Sequence, residues 1–150
     1  MHGTFHGVLS LVLIGAAVAA AFVGIVTVSP AAGAVYILLV VVAVPIILFA
    51  YCAKCPVRLT GCRHGIPGPM TRYLPQRRDE PYVILDYIGL ALPLALLVGA
   101  PQPFLWQSPP LLTVFWGLMI AGGLEIRRYV CTGCHNRFCP LRIQNKQNHS

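Results

Sequence analysis

The sequence predicts an all-α membrane protein with four transmembrane helices, arranged as two helical hairpins that carry a small cytosolic Cys-rich cap. Composition is the first reason: of 150 residues, 57% are hydrophobic and 10% are charged, whereas soluble domains are nearer half apolar and a quarter charged. The second reason is that the apolar residues gather in four long runs. We therefore expect residues 1–150 to form a single integral membrane domain.

The four apolar runs cover approximately residues 7–28, 33–51, 82–100 and 108–126. Each is close to the ~20 residues that cross ~30 Å of hydrocarbon at ~1.5 Å per residue. None shows the alternation of barrel strands, and backbone polar groups in lipid must bond within their own segment. The first run follows no Lys or Arg and exceeds the apolar region of a signal peptide, which predicts a retained helix.

The basic residues predict the orientation of the chain. Six of the eleven Lys and Arg residues lie between Cys52 and Pro81, and the other five follow Ile126. With four crossings, both termini and the central loop share one side, which the positive-inside rule places in the cytoplasm. We therefore expect a multi-pass protein of the cytoplasmic (inner) membrane with cytosolic N- and C-termini.

A net charge of +7 also raises the question of nucleic-acid binding. That function requires basic residues on a folded soluble face, which this chain is not expected to have. The charge is better explained by topology, with attraction to anionic lipid headgroups as a by-product. No nucleic-acid partner is predicted.

Each hairpin is followed by a Cys-rich segment, residues 52–81 and 127–150. In both, a Tyr (Tyr51 or Tyr129) precedes a Cys-x2-Cys pair, and a third cysteine follows. Two explanations remain open, an internal duplication with parallel halves or two separate solutions to one need. The six thiols are Cys52, Cys55, Cys62, Cys131, Cys134 and Cys139.

This spacing predicts a metal centre. A Cys-x2-Cys turn brings two sulfurs to one ion, and a later Cys or His completes four ligands. The segment 52–81 has too few large apolar residues for a core of its own and needs a staple, which in the reducing cytosol is not a disulfide. Besides the six cysteines, His64 and His135 are candidate ligands because each lies within two residues of a cysteine.

Three other roles are conceivable for the thiols. Six reduced thiols without metal are the simplest alternative, and redox thiols of the thioredoxin type lack a βαβ pattern to support them. Residues 131–135 also match the C-x2-C-H attachment motif of c-type haem. That attachment takes place outside the cytoplasmic membrane, so it contradicts the predicted topology.

An iron–sulfur cluster is favoured over zinc. The six cysteines with two histidines would fill two tetrahedral Cys3His zinc sites, whereas Cys-x2-Cys and Cys-Pro segments are common around iron–sulfur clusters. Nearby arginines would offset the negative charge of thiolates and of a reduced cluster. These arginines are Arg58, Arg63, Arg137 and Arg142.

Two carboxylates lie near the predicted cytosolic ends of the spans. Asp86 is about a turn into the third and Glu125 is in the last turn of the fourth. Ionisable residues at such depth are functional candidates, so with Arg58 and Arg137 they form the candidate cofactor-binding set, for proton or quinone chemistry. The alternative is that they pair with Arg77, Arg127 or Arg128.

The predicted spans contain no Cys or His, with His6 just before the first. This argues against a metal path through the membrane and against haem b between helices. Catalytic Ser-His-Asp, paired-carboxylate and Gly-rich phosphate patterns are not visible, so the chain is not expected to be an enzyme on its own.

Three functions follow as hypotheses. The first is an electron relay or anchor subunit of a membrane oxidoreductase complex, taking electrons from a protein partner on the cytosolic face towards a quinone or another subunit. The second is a zinc-structured assembly or interaction protein. The third is a soft-metal-ion carrier, which is less favoured because the spans offer no ligands.

Overall fold

The predicted all-α membrane fold is confirmed. The structure, a computed structural model, describes residues 2–75, 77 and 80–139. Within those residues it contains helices and turns and no strand. Four helical spans among them are long and apolar enough to cross a membrane, namely Thr4–Val28, Pro30–Cys52, Ile84–Leu105 and Pro109–Gly133. The candidate charge-balancing residue Arg142 lies outside the described residues.

In the described part of the chain, six α-helices follow one another. They are α1 (His2–Val28), α2 (Pro30–Ile47), α3 (Pro67–Met70), α4 (Ile84–Gly99), α5 (Gln102–Leu105) and α6 (Pro109–Glu125). Two helix starts differ from the predicted spans. Helix α1 begins before residue 7, so His6 lies inside a span and not before it. Helix α4 begins after residue 82, because Asp86 Oδ2 accepts the Val83 N–H at 2.9 Å and fixes the first turn there.

A short turn joins α1 to α2 and makes them an antiparallel hairpin. Ser29 is extended, and its hydroxyl oxygen accepts the Ala32 N–H at 3.3 Å. Pro30 then occupies the first helical position, where its missing N–H has no partner to lose. The second hairpin is joined through α5, after which α6 also begins with a proline, Pro109.

Helices α2 and α6 both widen at the ends that lead into the cysteine segments. Residues Leu48–Cys52 and Ile126–Val130 form π-helical turns. In the first, the Ala53 N–H bonds to the Leu48 carbonyl at 2.7 Å, and in the second the Cys131 N–H bonds to the Ile126 carbonyl. Such i→i+5 turns are rare and are frequently found at functional sites.

The four long helices pack side by side as a bundle around an apolar core. Helix α1 packs along α6 and beside α2, and α2 packs against α4. Ile25, Leu105 and Phe115 are almost fully buried in this core. One polar contact crosses it, where the Tyr36 hydroxyl donates to the Leu97 carbonyl at 3.1 Å and joins α2 to α4.

A close approach between α1 and α6 depends on Gly122. A Cβ at this position would lie 2.9 Å from Ile14 Cγ1 and 3.3 Å from the Ser10 carbonyl oxygen. Small residues at helix contacts allow backbones to come this near in a membrane, where dispersion contacts drive association. A Cβ at the neighbouring Gly123 would have no atom within 4 Å.

Replacing these two glycines by alanine should have opposite effects. We expect Gly122→Ala to lower the free energy of unfolding by about 1–3 kcal/mol through overpacking. Gly123→Ala should be neutral or stabilise by up to about 1 kcal/mol, because alanine has less backbone entropy to lose. Thermal unfolding in detergent measures both, and equal effects would contradict the close approach.

Candidate metal centre

Both cysteine segments lie at one end of the helix bundle, where α2 and α6 end and α1 and α4 begin. We call residues 52–75 and 131–139 the cysteine cap. The first segment contacts the start of α1, since the backbone of Arg63 and His64 lies directly against Gly7. A side chain at Gly7 would collide with that backbone, so glycine at this position allows the cap to pack against α1.

Each Cys-x2-Cys pair folds into a single turn. The Cys55 N–H bonds to the Cys52 carbonyl at 3.1 Å, and the Cys134 N–H bonds to the Cys131 carbonyl at 3.3 Å. Both turns follow directly from the π-helical ends of α2 and α6. The paired cysteines of each segment are thereby brought to neighbouring positions at the end of a span.

Direct contacts join the two segments. Arg63 Nε donates to the Gly133 carbonyl at 2.9 Å, inside the second Cys-x2-Cys turn. The Tyr51 hydroxyl lies 3.1 Å from Cys139 Sγ. Tyr51 also stacks on Tyr82, with ring centroids 4.5 Å apart. The segments therefore form one unit and not two separate loops.

Thiols from both segments influence Cys55. The pKa of its thiol is raised to about 11, mainly by burial and further by the charges of Cys134, Cys62 and Cys139, against a hydrogen bond from the Val57 backbone that lowers it. Two of these three cysteines belong to the second segment. Cys55 is therefore within electrostatic reach of both.

Tyr82 lies among the same thiols. Burial is the main reason that the pKa of Tyr82 is raised, and thiols of both segments, Cys55, Cys139 and Cys52, add to it. The Asn136 side-chain amide donates to its hydroxyl at 3.0 Å, and that hydroxyl donates to the Tyr51 carbonyl at 3.2 Å. Tyr82 thus bridges α2, the start of α4 and the second cysteine segment.

The thiols are gathered but not arranged as ligands. All six cysteines are free and half-buried. Among the described residues, no group of three or more His, Cys, Asp and Glu side chains is placed to hold a metal ion. Thiolate sulfur lies ~2.3 Å from zinc, so a bound ion would have to draw the side chains together and displace their protons.

The two candidate histidines have different surroundings. His64 is partly buried, and within the described part of the chain its Nδ1 has no hydrogen-bond partner. Burial lowers the pKa of His64, which favours the neutral ring that binds metals. His135 is exposed. Of these two histidines, His64 is the one with a buried nitrogen that has no partner among the described residues.

The candidate arginines are engaged with the cap itself. Arg58 Nη1 donates to the Cys55 carbonyl at 3.1 Å. The Arg137 guanidinium lies over the Phe138 ring, 4.7 Å from its centroid. Both arginines therefore lie within the cap.

Glu125 contacts another part of the bundle. One of its carboxylate oxygens is 2.9 Å from His6 Nδ1, and the His6 ring stacks on Tyr129 at 4.0 Å. The carboxylate thus pairs with α1, where the sequence had suggested Arg127 or Arg128 as partners. His6, Glu125 and Tyr129 together hold α1 against the end of α6.

Asp86 is buried between two cations. Its carboxylate oxygens lie 2.8 Å from Lys54 Nζ and 2.8 Å from Arg77 Nη1. The Lys54 and Asp86 side chains are only 5% and 2% exposed. The expected alternative, pairing with Arg77, is therefore present. Lys54, between Cys52 and Cys55, ties the first Cys-x2-Cys turn to α4.

Four residues of the site were not identified as such from the sequence. Tyr82 was grouped within a membrane span, Lys54 was counted only as a topological charge, and Asn136 gave no signal. The one usable signal was the tyrosine that precedes the Cys-x2-Cys pair in both segments. In the first segment this residue is Tyr51, which contacts Cys139.

Alkylation of Cys55 tests the electrostatics of the cap. Because its pKa is raised to about 11, the thiol is neutral at pH 7 and its thiolate fraction is about a hundredfold below that of a thiol with pKa near 9. In metal-free protein we expect slow alkylation whose rate rises about tenfold per pH unit up to about pH 11. The same thiol in denatured protein is the control, and equal rates in both would contradict the burial.

Removing the charge of Asp86 should destabilise the cap. Asp86→Asn leaves Lys54 and Arg77 without their counter-charge, and breaking such a buried pair costs about 3–5 kcal/mol. As the control, Glu80→Gln removes an exposed carboxylate just before α4 and should change stability little. Unfolding in detergent compares the two, and similar losses would show that the ion pair is not the cause.

Comparison with known proteins adds no further assignment. No family model matches the chain, and neither a curated protein nor a solved structure shows significant similarity to it. What the chain does must therefore be argued from the bundle and the cysteine cap.

Proposed function

We propose that this protein holds a Cys-ligated metal centre at the cytosolic face of the inner membrane and acts as an electron-relay or anchor subunit of a membrane redox complex. One observation carries the proposal: thiols of both segments meet in one cap at the end of the spans. The Tyr51–Cys139 contact of 3.1 Å and the Arg63–Gly133 hydrogen bond of 2.9 Å hold them there.

An iron–sulfur cluster is the favoured occupant. One [4Fe–4S] cluster takes four thiolates, which the two Cys-x2-Cys turns would supply, leaving Cys62 and Cys139; alternatively, two clusters would each take three cysteines and one outside ligand. Such a cluster supplies one-electron transfer. Arg58 and Arg63 would offset its negative charge, and the backbone hydrogen bond from Val57 to Cys55 is of the kind that tunes cluster potential.

The position of the cap suits transfer between a soluble donor and the membrane. Its outer surface exposes apolar side chains, including Leu59, Met70 and Tyr73, and exposed apolar groups are typical of protein contact sites. Its inner surface lies at the start of the spans. Electrons would enter from a protein partner and leave towards a quinone or another subunit.

A zinc-structured interaction protein is the second candidate. It is favoured by the composition of the cap, whose buried side chains are mainly small or polar: Ala53, Lys54, Thr71 and Asn136. A fold with so little apolar core is commonly stabilised by a structural metal. A soft-metal carrier has less support, because the His and Cys of the described spans, His6, Cys52 and Cys131, all lie at the cap end.

Metal analysis after anaerobic purification tests the proposal. We expect iron and acid-labile sulfide with broad visible absorbance, and Cys55→Ser or Cys134→Ser should abolish both signals. Zinc without iron would replace the redox function by the zinc-structured one. If neither iron nor zinc reaches full occupancy in the purified protein, both proposed functions are overturned.

A pair of histidine variants separates the two metals. In a Cys3His zinc site, His64→Gln should lower metal affinity by at least about tenfold, while the exposed His135→Gln serves as the control and should have no effect. A cluster held by four thiolates should survive both changes. Loss in His135→Gln alone would contradict the geometry of the cap.

A further inference from the structure

An open groove of about 700 Å³ lies between the end of α2 and the start of α4. Its walls are apolar side chains within the membrane spans. Ile46, Phe49 and Leu85 are 42%, 39% and 72% exposed, so this side of the helix bundle faces the bilayer. Leu74 and Pro75 line the end of the groove that lies at the cap.

The same groove ends at charged side chains. Asp86 and Arg77 line it, and Lys54 contacts Asp86 from behind at 2.8 Å. Two cations around one carboxylate leave an excess of one positive charge. Lys54 and Asp86 are buried, whereas the Arg77 side chain is 26% exposed, so the excess charge is reached through Arg77.

Arg77 retains donors for a further ligand. Its polar contacts to the described residues use Nη1, at 2.8 Å to Asp86 Oδ1 and at 3.4 Å to the Phe49 and Ala50 carbonyls. The guanidinium also lies over the Phe49 ring, 5.1 Å from its centroid, which leaves its other N–H donors unused by these contacts. The guanidinium group carries five N–H donors in a planar fork that matches phosphate oxygens. The remaining donors therefore suit an anion at the groove end.

We propose that this groove binds an anionic phospholipid. Its phosphate would contact Arg77 at the cap end, and an acyl chain would lie along Ile46, Phe49 and Leu85. The lipid satisfies both features at once, because the headgroup neutralises the excess charge while the chain covers the apolar walls. The site does not depend on the metal centre.

Other occupants fit only part of the site. A quinone would cover the walls but carries no charge to balance Arg77. Inorganic phosphate would balance the charge and leave the walls uncovered. A zwitterionic lipid brings its own ammonium group, which offsets the gain at Arg77. An anionic headgroup joined to an acyl chain is the chemistry that the groove selects.

The test measures lipid preference in the full-length protein. Purified protein is equilibrated in detergent with equal amounts of phosphatidylglycerol and phosphatidylcholine of identical chains, and bound lipid is counted by native mass spectrometry. We expect an approximately fivefold preference for phosphatidylglycerol, which corresponds to the ~1 kcal/mol of one basic side chain at an anionic surface. Arg77→Gln should abolish it, and Arg77→Lys, which keeps the charge, should retain most of it.

Two further variants identify the groove. Arg72→Gln removes the same charge from an exposed residue of the cap and should leave the preference unchanged. Ile46→Trp keeps all charges but fills the groove, and should reduce binding of phosphatidylglycerol to the level of phosphatidylcholine. Equal loss in Arg72→Gln and Arg77→Gln would overturn the proposal, as would displacement of the lipid by inorganic phosphate or by a short-chain quinone.

Discussion

The buried contact between Lys54 and Asp86 fixes the end of the bundle on which the cap depends. Two charges removed from water cost several kcal/mol each unless they are paired, so this pair holds its two backbone segments in register. One segment is the first Cys-x2-Cys turn, and the other is the first turn of α4. Tyr82 lies just before that turn and stacks on Tyr51. The Tyr51 hydroxyl contacts Cys139 Sγ, so the position of α4 is coupled to the second cysteine segment.

Gathering thiols near one another restricts the states that the cap can adopt. Burial and the charges of nearby thiols raise the pKa of Cys55, so a free thiolate at this position is unfavourable. A bound cation would reverse that preference, since metal binding requires deprotonated thiols. At Cys55 the cap therefore favours a neutral thiol or a metal-bound thiolate over a free thiolate.

The sequence predicted the four spans because hydrophobicity over ~20 residues is a local property. It did not predict where helices begin, because a side chain such as Asp86 decides this by bonding to the Val83 N–H. It grouped the six cysteines by spacing as metal ligands, and that role stays a prediction. The direction of Lys54 and the contact of Tyr51 with Cys139 depend on residues 32 and 88 positions away, which no local pattern encodes.

The π-helical turns have a consequence for chain length. A wide turn accommodates one residue more than an α-helical turn of the same height, so Leu48–Cys52 could lose a residue and continue as an α-helix. Every position beyond would then keep its orientation, and Cys55 would stay on the side where Cys134 lies. The same single-codon deletion within the regular α-helix of Pro30–Ile47 has no extra residue to absorb it and would rotate every later position by about 100° around the helix axis. The loss of one residue is therefore compatible with the cap in the π-helical turn, and would separate the two halves of the cap when it falls earlier in α2.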